Sequence, residues 1–243
     1  MKNFIYKMKS LSFLLFAASF LAISCQEVFF REEERTREIT LKDFHTLEVS
    51  GIFNIILIQD STNRLVINGE NNISTIDALI KDDSLLIDDH KKISLNSAKN
   101  TLTLHFTNLD YIKFNDPVNV SNHDTIKADI LTIVAVGGIA EVRLVVNCNT
   151  LQTVNHANTL GYFYFIGRAE SCSIENRYGS RVFADSLLCK NAEIYNESIG
   201  AVSVNATDNL RASIRGSGNI YYHGTPVIRI AEMTGKGRVI RVY

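Results

Sequence analysis

The chain has 243 residues, 46% of them hydrophobic and 21% charged, with a formal net charge of −1. That balance argues against both intrinsic disorder and a polyanion-binding surface, so a nucleic-acid partner is not expected. Thirteen glycines, only two prolines (Pro117 and Pro226) and no tryptophan exclude collagen-like and proline-rich classes.

Residues 1–24 carry Lys2, Lys7 and Lys9, no acid, and the apolar run Leu11 to Ile23. That run is too short to cross a hydrocarbon core of roughly 30 Å as a helix, and it reads as a secretory signal peptide. Removing it leaves 22 basic against 26 acidic residues. Leu21-Ala22-Ile23-Ser24 ahead of Cys25 resembles a bacterial lipobox, with Ala22 where leucine is usual. Lipidation of Cys25 is the expectation; the alternative is ordinary cleavage near Ser19 or Ser24, with Cys25 an incidental thiol. Several acyl chains, at about 0.8 kcal/mol per buried methylene, make a stable membrane anchor. Gln26 follows where an aspartate would signal inner-membrane retention, so the outer membrane is the expected destination.

Residues 25–40 are strongly charged and lack both turn chemistry and a strand period, and are expected to form a tether after the lipidated cysteine. Beyond it, residues 41–115 form an irregular N-terminal β segment and 116–243 a set of coils, although 41–243 could be one continuous domain. In the first part, 45–59, 64–69, 84–88 and 100–106 read as strands. Ile73 to Ile80 has apolar residues at three- and four-residue steps, which suggests one or two helical turns, and Asp82-Asp83-Ser84 makes a turn. This part is either a small β layer or the opening coils of the later repeat.

The second part repeats. Leu131, Leu151, Cys172, Ala192, Leu210 and Val227 follow one another at intervals of 20, 21, 20, 18 and 17 residues. Gly138, Gly161, Gly179, Gly200, Gly218 and Gly237 keep a similar step. Two residues after five of these glycines stand Ala140, Phe163, Val202, Ile220 and Val239; the third repeat fits with one inserted residue, placing Val182 and Ala184 on that face. A period of two means strands with one buried and one wet face. Short strands with glycine at the corners imply coils of about 20 residues stacked roughly 4.8 Å apart, each burying its inner face only against its neighbours. Cys172 shares the ladder position of Leu131 and Leu210, which favours a core role. Cys148, Cys172 and Cys189 form no CxxC pair, and three thiols allow at most one internal disulfide.

Val49–Gln59 (VSGIFNIILIQ), the strand–glycine–strand rungs and the closing Arg215–Pro226 (RGSGNIYYHGTP) resemble the family of the putative auto-transporter adhesin, head GIN domain. The resemblance spans about residues 41–240. Asn158-Thr159-Leu160-Gly161 and Ser198-Ile199-Gly200 depart from the family's Gly-Ser-Gly. It implies an all-β, right-handed parallel β-helix (a β-solenoid) in an exported Bacteroidota protein, at the cell surface or in the periplasm. Fold analogy alone does not establish function.

No HExxH, GxSxG, phosphate-loop or dinucleotide motif occurs, so neither metal nor cofactor is expected. Asp185, Lys190 and Glu193, with Arg177 and Arg181, are the charged residues nearest to a lyase constellation, but read better as a solvated edge; Asp82-Asp83 and Asp88-Asp89-His90 read as polar turns. Tyr162, Tyr164 and Tyr221 fall on the outward set of their strands, where rings can stack on sugars, though not on adjacent rungs. The leading expectation is a non-enzymatic, lipid-anchored envelope protein presenting a surface to a glycan or protein partner. A polysaccharide lyase or hydrolase on the same scaffold is the alternative, and a structural subunit of an envelope assembly the third.

Overall fold

Alternation of apolar and polar side chains carries 74% of the described chain into strands, because a period of two buries one face of an extended backbone and wets the other. The computed structural model describes residues 35–69, 73–90 and 100–243. The signal segment and Cys25 lie outside these residues. The strands are β1 (Arg35–Thr40), β2 (Thr46–Ser50), β3 (Phe53–Gln59), β4 (Arg64–Gly69), β5 (Ile76–Lys81), β6 (Ser84–Asp89), β7 (Thr101–Phe106), β8 (Tyr111–Phe114), β9 (Val118–Asn122) and β10 (Ile126–Asn176), followed by β11 (Arg181–Asn196), β12 (Val202–Ile214), β13 (Ile220–His223), β14 (Val227–Met233) and β15 (Val239–Arg241). They make one curled, open sheet of fifteen strands, and the described residues contain no α-helix.

Two columns of parallel strands organise the sheet. The first runs β6–β2–β8–β10, with Leu47 between Leu85 and Ile112, and Ile112 beside Ile133. The second runs β7–β3–β9–β10, with Ile55 between Leu102 and Val120, and Val120 beside Val142. β2 and β3 therefore lie inside the two columns, with β6 and β7 on one side and β8 and β9 on the other, so that β4 to β7 separate β3 from β8 in sequence. Antiparallel strands finish this end: β5 on β6, and β4 then β1 beyond β7. The β5–β6 hairpin turns on Asp82 and Asp83, both at positive φ (46° and 67°), the two-residue turn whose twist suits a hairpin.

From β10 onward the chain pairs with itself one coil later. A straight strand of 51 residues would be roughly 170 Å long. Instead β10 turns back along its own flank: Asn149 donates to Asp129 at 2.5 Å, and Thr132 to Gln152 at 3.3 Å. Cys172 then stands beside Ala192, Ala192 beside Leu210 and Leu210 beside Ile228; Phe163 stands beside Val182, then Val202, Ile220 and Val239. The inward residues from Phe44 to Ile220 join one apolar cluster, including Cys148, Cys172 and Cys189.

The corner between the columns is polar and fully buried. Asn155 donates to Asn176 at 3.3 Å, Asn176 to Asn196 at 3.0 Å, and Asn196 to the Gly200 and Gly218 carbonyls at 3.1 and 3.0 Å. Beside this amide stack, Thr159 donates to the Ala135 carbonyl, Ser180 to Thr159 and Ser198 to Ser180, at 2.8, 2.9 and 2.9 Å. Each hydroxyl thus satisfies a carbonyl of the coil before it, which a buried corner requires.

Several sequence expectations change. The third glycine of the repeat, Gly179, is off the corner column, which Ser180 occupies: Gly200 lies against Ser180, Gly218 against Gly200 and Gly237 against Gly218. The last ladder position is Ile228, the register partner of Leu210, and not Val227; both are exposed. The three- and four-residue apolar steps of 73–80 resolve into a single 3-10 turn (Ile73–Thr75) and strand β5, because Ile76 needs the core while Asp77 and Leu79 face solvent. Of the residues expected to form a tether, Arg35–Thr40 is a strand, paired through its backbone with β4 while its side chains stay largely exposed, and 25–34 lie outside the described residues.

Candidate functional site

On the outer face of the second column, aromatic residues line up because strand alternation repeats from coil to coil. Tyr164 pairs with Phe183, Phe183 with Ser203 and Ser203 with Tyr221. The Tyr164 and Phe183 rings stack at 4.8 Å with 8° between their planes. Tyr162, two residues earlier on the same face, stacks at 6.5 Å on Tyr164 and 6.4 Å on Phe183, and is 47% exposed. The guanidinium of Arg143 lies 3.8 Å from the centre of the Tyr164 ring, and its Nε donates to Glu141 at 2.7 Å. That carboxylate raises the arginine's pKa further, so the cation over the ring is permanent.

Of the three tyrosines singled out from sequence, two sit together and the third is further along. Tyr221 is on the same row as Tyr164, three rungs or about 14 Å away. Its hydroxyl accepts a hydrogen bond from Asn219 at 3.0 Å. Phe183 and Arg143 were missed. Phe183 hides behind the inserted residue of the third repeat, and only the alternation restarted at Val182 places it outward. Arg143 needs the register of two coils, which sequence spacing does not supply. The row is a short stack of rings with a cation against Tyr164, interrupted by Ser203 before Tyr221, and Tyr162 is its most exposed ring. Stacked rings suit contact with a ligand more than bond cleavage.

The charged clusters resolve differently. Lys190 pairs with Glu170 at 2.7 Å, Arg211 with Glu193 at 3.1 Å, and Arg177 with Glu175. Asp185 accepts from Ser203 at 3.2 Å. Lys190, Glu193 and Asp185 are tied to neighbours on adjacent strands and Arg177 to Glu175 two residues before it, while Glu175, Arg177 and Glu193 share the lining of one open cleft. Arg177 and Arg215 flank the Tyr195 ring at 5.8 and 5.3 Å in an open cleft of about 550 Å³, with Arg215 held by Glu232 at 2.9 Å. Asp83 pairs with His45 at 2.9 Å, and Asp88 and Asp77 with His90 at 3.3 and 2.8 Å. Asp89 is buried and accepts from Thr75 at 2.8 Å. Among the described residues no group of three or more His, Cys, Asp or Glu is placed to hold a metal ion. No helix among them is long and apolar enough to cross a membrane.

With the geometry in place, comparison with known proteins identifies the family. Residues 43–226 match the family described as putative auto-transporter adhesin, head GIN domain. The chain belongs to this family. Solved structures share the fold of this head GIN domain. A putative adhesin from Bacteroides fragilis aligns with a TM-score of 0.80 at 24% identity, over 87% of this chain and 98% of its own. A putative adhesin from Parabacteroides merdae gives 0.63 at 22%, and a putative lipid binding protein from Parabacteroides distasonis 0.67 at 19%; each alignment covers 88% of this chain and 98% of the other. Comparison with the curated proteins gives no match.

Proposed function

We propose that this head GIN protein is a non-enzymatic lipoprotein of the outer membrane, periplasmic or surface-exposed, anchored through Cys25. Its ladder winds as a right-handed parallel β-helix and presents Tyr162, Tyr164, Phe183 and Tyr221 to a surface glycan. The winding is supported by the in-register steps of 17 to 20 residues between β10, β11 and β12. The anchor is supported by the basic head, apolar run and Ser24-Cys25 junction.

The observation that carries the glycan reading is the stacked pair Tyr164–Phe183 with Tyr162 open beside it and Arg143 over the Tyr164 ring. Rungs about 4.8 Å apart place successive rings at a spacing that extended sugar chains can follow. A glycan array probed with the wild type and with the variant Tyr162→Ala/Tyr164→Ala/Tyr221→Ala tests this. Loss of at least roughly tenfold in apparent affinity is expected, since each ring contact is worth about 0.5–1.5 kcal/mol. Unchanged binding by the triple variant overturns the glycan reading. Mass spectrometry of the mature N-terminus tests the anchor: a diacylated or triacylated Cys25 is expected, and an unmodified Cys25 or cleavage elsewhere rejects it.

A further inference from the structure

Inside the coils two thiols meet. Cys189 lies beside Ala169 on one side and Ala206 on the other, while Cys172 stands beside Ala192. Across the bend between these positions the two Sγ atoms are 3.1 Å apart. A disulfide bond is about 2.05 Å, so closing it requires roughly 1 Å of sulfur movement. The Cys189 sulfur also lies 3.2 Å from the Asn205 carbonyl, to which its S–H can donate while it accepts from Cys172. Cys148, the third thiol, borders a cleft with Asn147, Asn149 and Cys189 and is pushed up to about 11 by burial.

We propose that Cys172 and Cys189 are joined by an intrachain disulfide in the exported protein, introduced by exchange with the disulfide of a thiol–disulfide oxidoreductase, with Cys148 remaining a thiol. The Cys189 thiolate attacks one sulfur of the donor disulfide and expels the donor's other sulfur as a thiolate. Cys172 loses its proton and attacks Cys189 Sγ of the mixed disulfide, expelling the second donor sulfur. Two electrons and the two protons released by the cysteines end on the donor, now a dithiol. Both side chains are buried in the finished fold, so the exchange precedes closure of the strands around them. The oxidising compartment that secretion supplies is where such a bond persists. The link ties one coil to the next within the core, independently of what the outer face binds.

Non-reducing peptide mapping of the full chain from the cell envelope is expected to yield one linked pair containing Cys172 and Cys189. Of the three core cysteines, only Cys148 then takes an alkylating reagent after denaturation. The chain refolded from the reduced state with oxidised glutathione is expected to give the same pair, which separates the site from the question of export. Reduction should lower the thermal midpoint by roughly 5–10 °C in the wild type, and by nothing in Cys172→Ser or Cys189→Ser. Three alkylated core thiols in the glutathione-refolded chain, or a link through Cys148, overturns the proposal.

Discussion

Asn176 holds its neighbours on both sides: it accepts from Asn155, and donates to Asn196 and to the Ser180 carbonyl at 2.9 Å. Replacing it with alanine leaves the buried Asn155 amide without its acceptor and takes one of two donors from each of the Asn196 Oδ1 and Ser180 carbonyl oxygens. A loss of about 2–4 kcal/mol is expected for Asn176→Ala in denaturant titration, well above the cost of an exposed amide. Gly218 makes a steric demand of a different kind. A Cβ there would sit 1.9 Å from the Gly200 carbonyl oxygen, with no flexible side chain to yield. Gly218→Ala should therefore cost at least about 3 kcal/mol, read from the same titration. This is the residue-level meaning of the Gly-x-Gly corner: in the sequence the glycines showed a period, but not that Ser180 stands in for one of them, because a small hydroxyl that bonds back to the previous coil fills the same column. A titrating contact behaves more mildly. The hydrogen bond with Asp83, then its charge, raises the His45 pKa above the usual imidazole value of about 6.5. A raised folded value means that the tie stabilises below pH 6.5 and fades as pH climbs through the raised pKa. In Asp83→Asn the imidazole should titrate closer to its ordinary value, which NMR can follow; both groups are exposed, so the change in stability is small.

Strands that share one column can have opposite tolerances. Ile174, Ile194, Ala212 and Ile230 are register partners from β10 to β14. Ile194 is 1% exposed, whereas Ile230, on the last strand of the column, is 45% exposed. Ile194→Thr is expected to cost about 2–3 kcal/mol and Ile230→Thr under about 0.5, measured as paired midpoints in urea. The period of the later coils was legible in the sequence because each strand finds its partner about twenty residues away, so apolar and small residues recur at that step. β1, β4 and β5 gave no such sign. Their antiparallel partners lie at unrelated spacings, and β1 contributes backbone to the edge while its charged side chains stay in water. Charges on an edge strand also discourage pairing with a second chain. The aromatic row was half legible for the same reason: alternation identified Tyr162, Tyr164 and Tyr221, but the neighbours that complete the row come from register.

An open sheet in which each strand contacts mainly its neighbours has stability that varies along its length. The N-terminal end is finished by antiparallel strands, while β14 leaves Val227, Ile228, Ile230 and Met233 exposed. Hydrogen exchange should be slowest in the β11 and β12 amides and fastest in β14 and β15, a gradient that uniform protection would contradict. The separation of β3 from β8 by β4–β7 has a consequence in time as well as in space. Leu47 of β2 has its register partner in β8 at Ile112, 65 residues on, whereas Val182 finds Val202 after 20. Closing the longer separation takes more chain entropy and more chain. During N-to-C emergence, β2 and β3 must wait with one edge open until β8 and β9 arrive, and every later coil docks soon after it is made. The interval between β3 and β8 is thus when the unfinished protein is most exposed to pairing with the wrong strand.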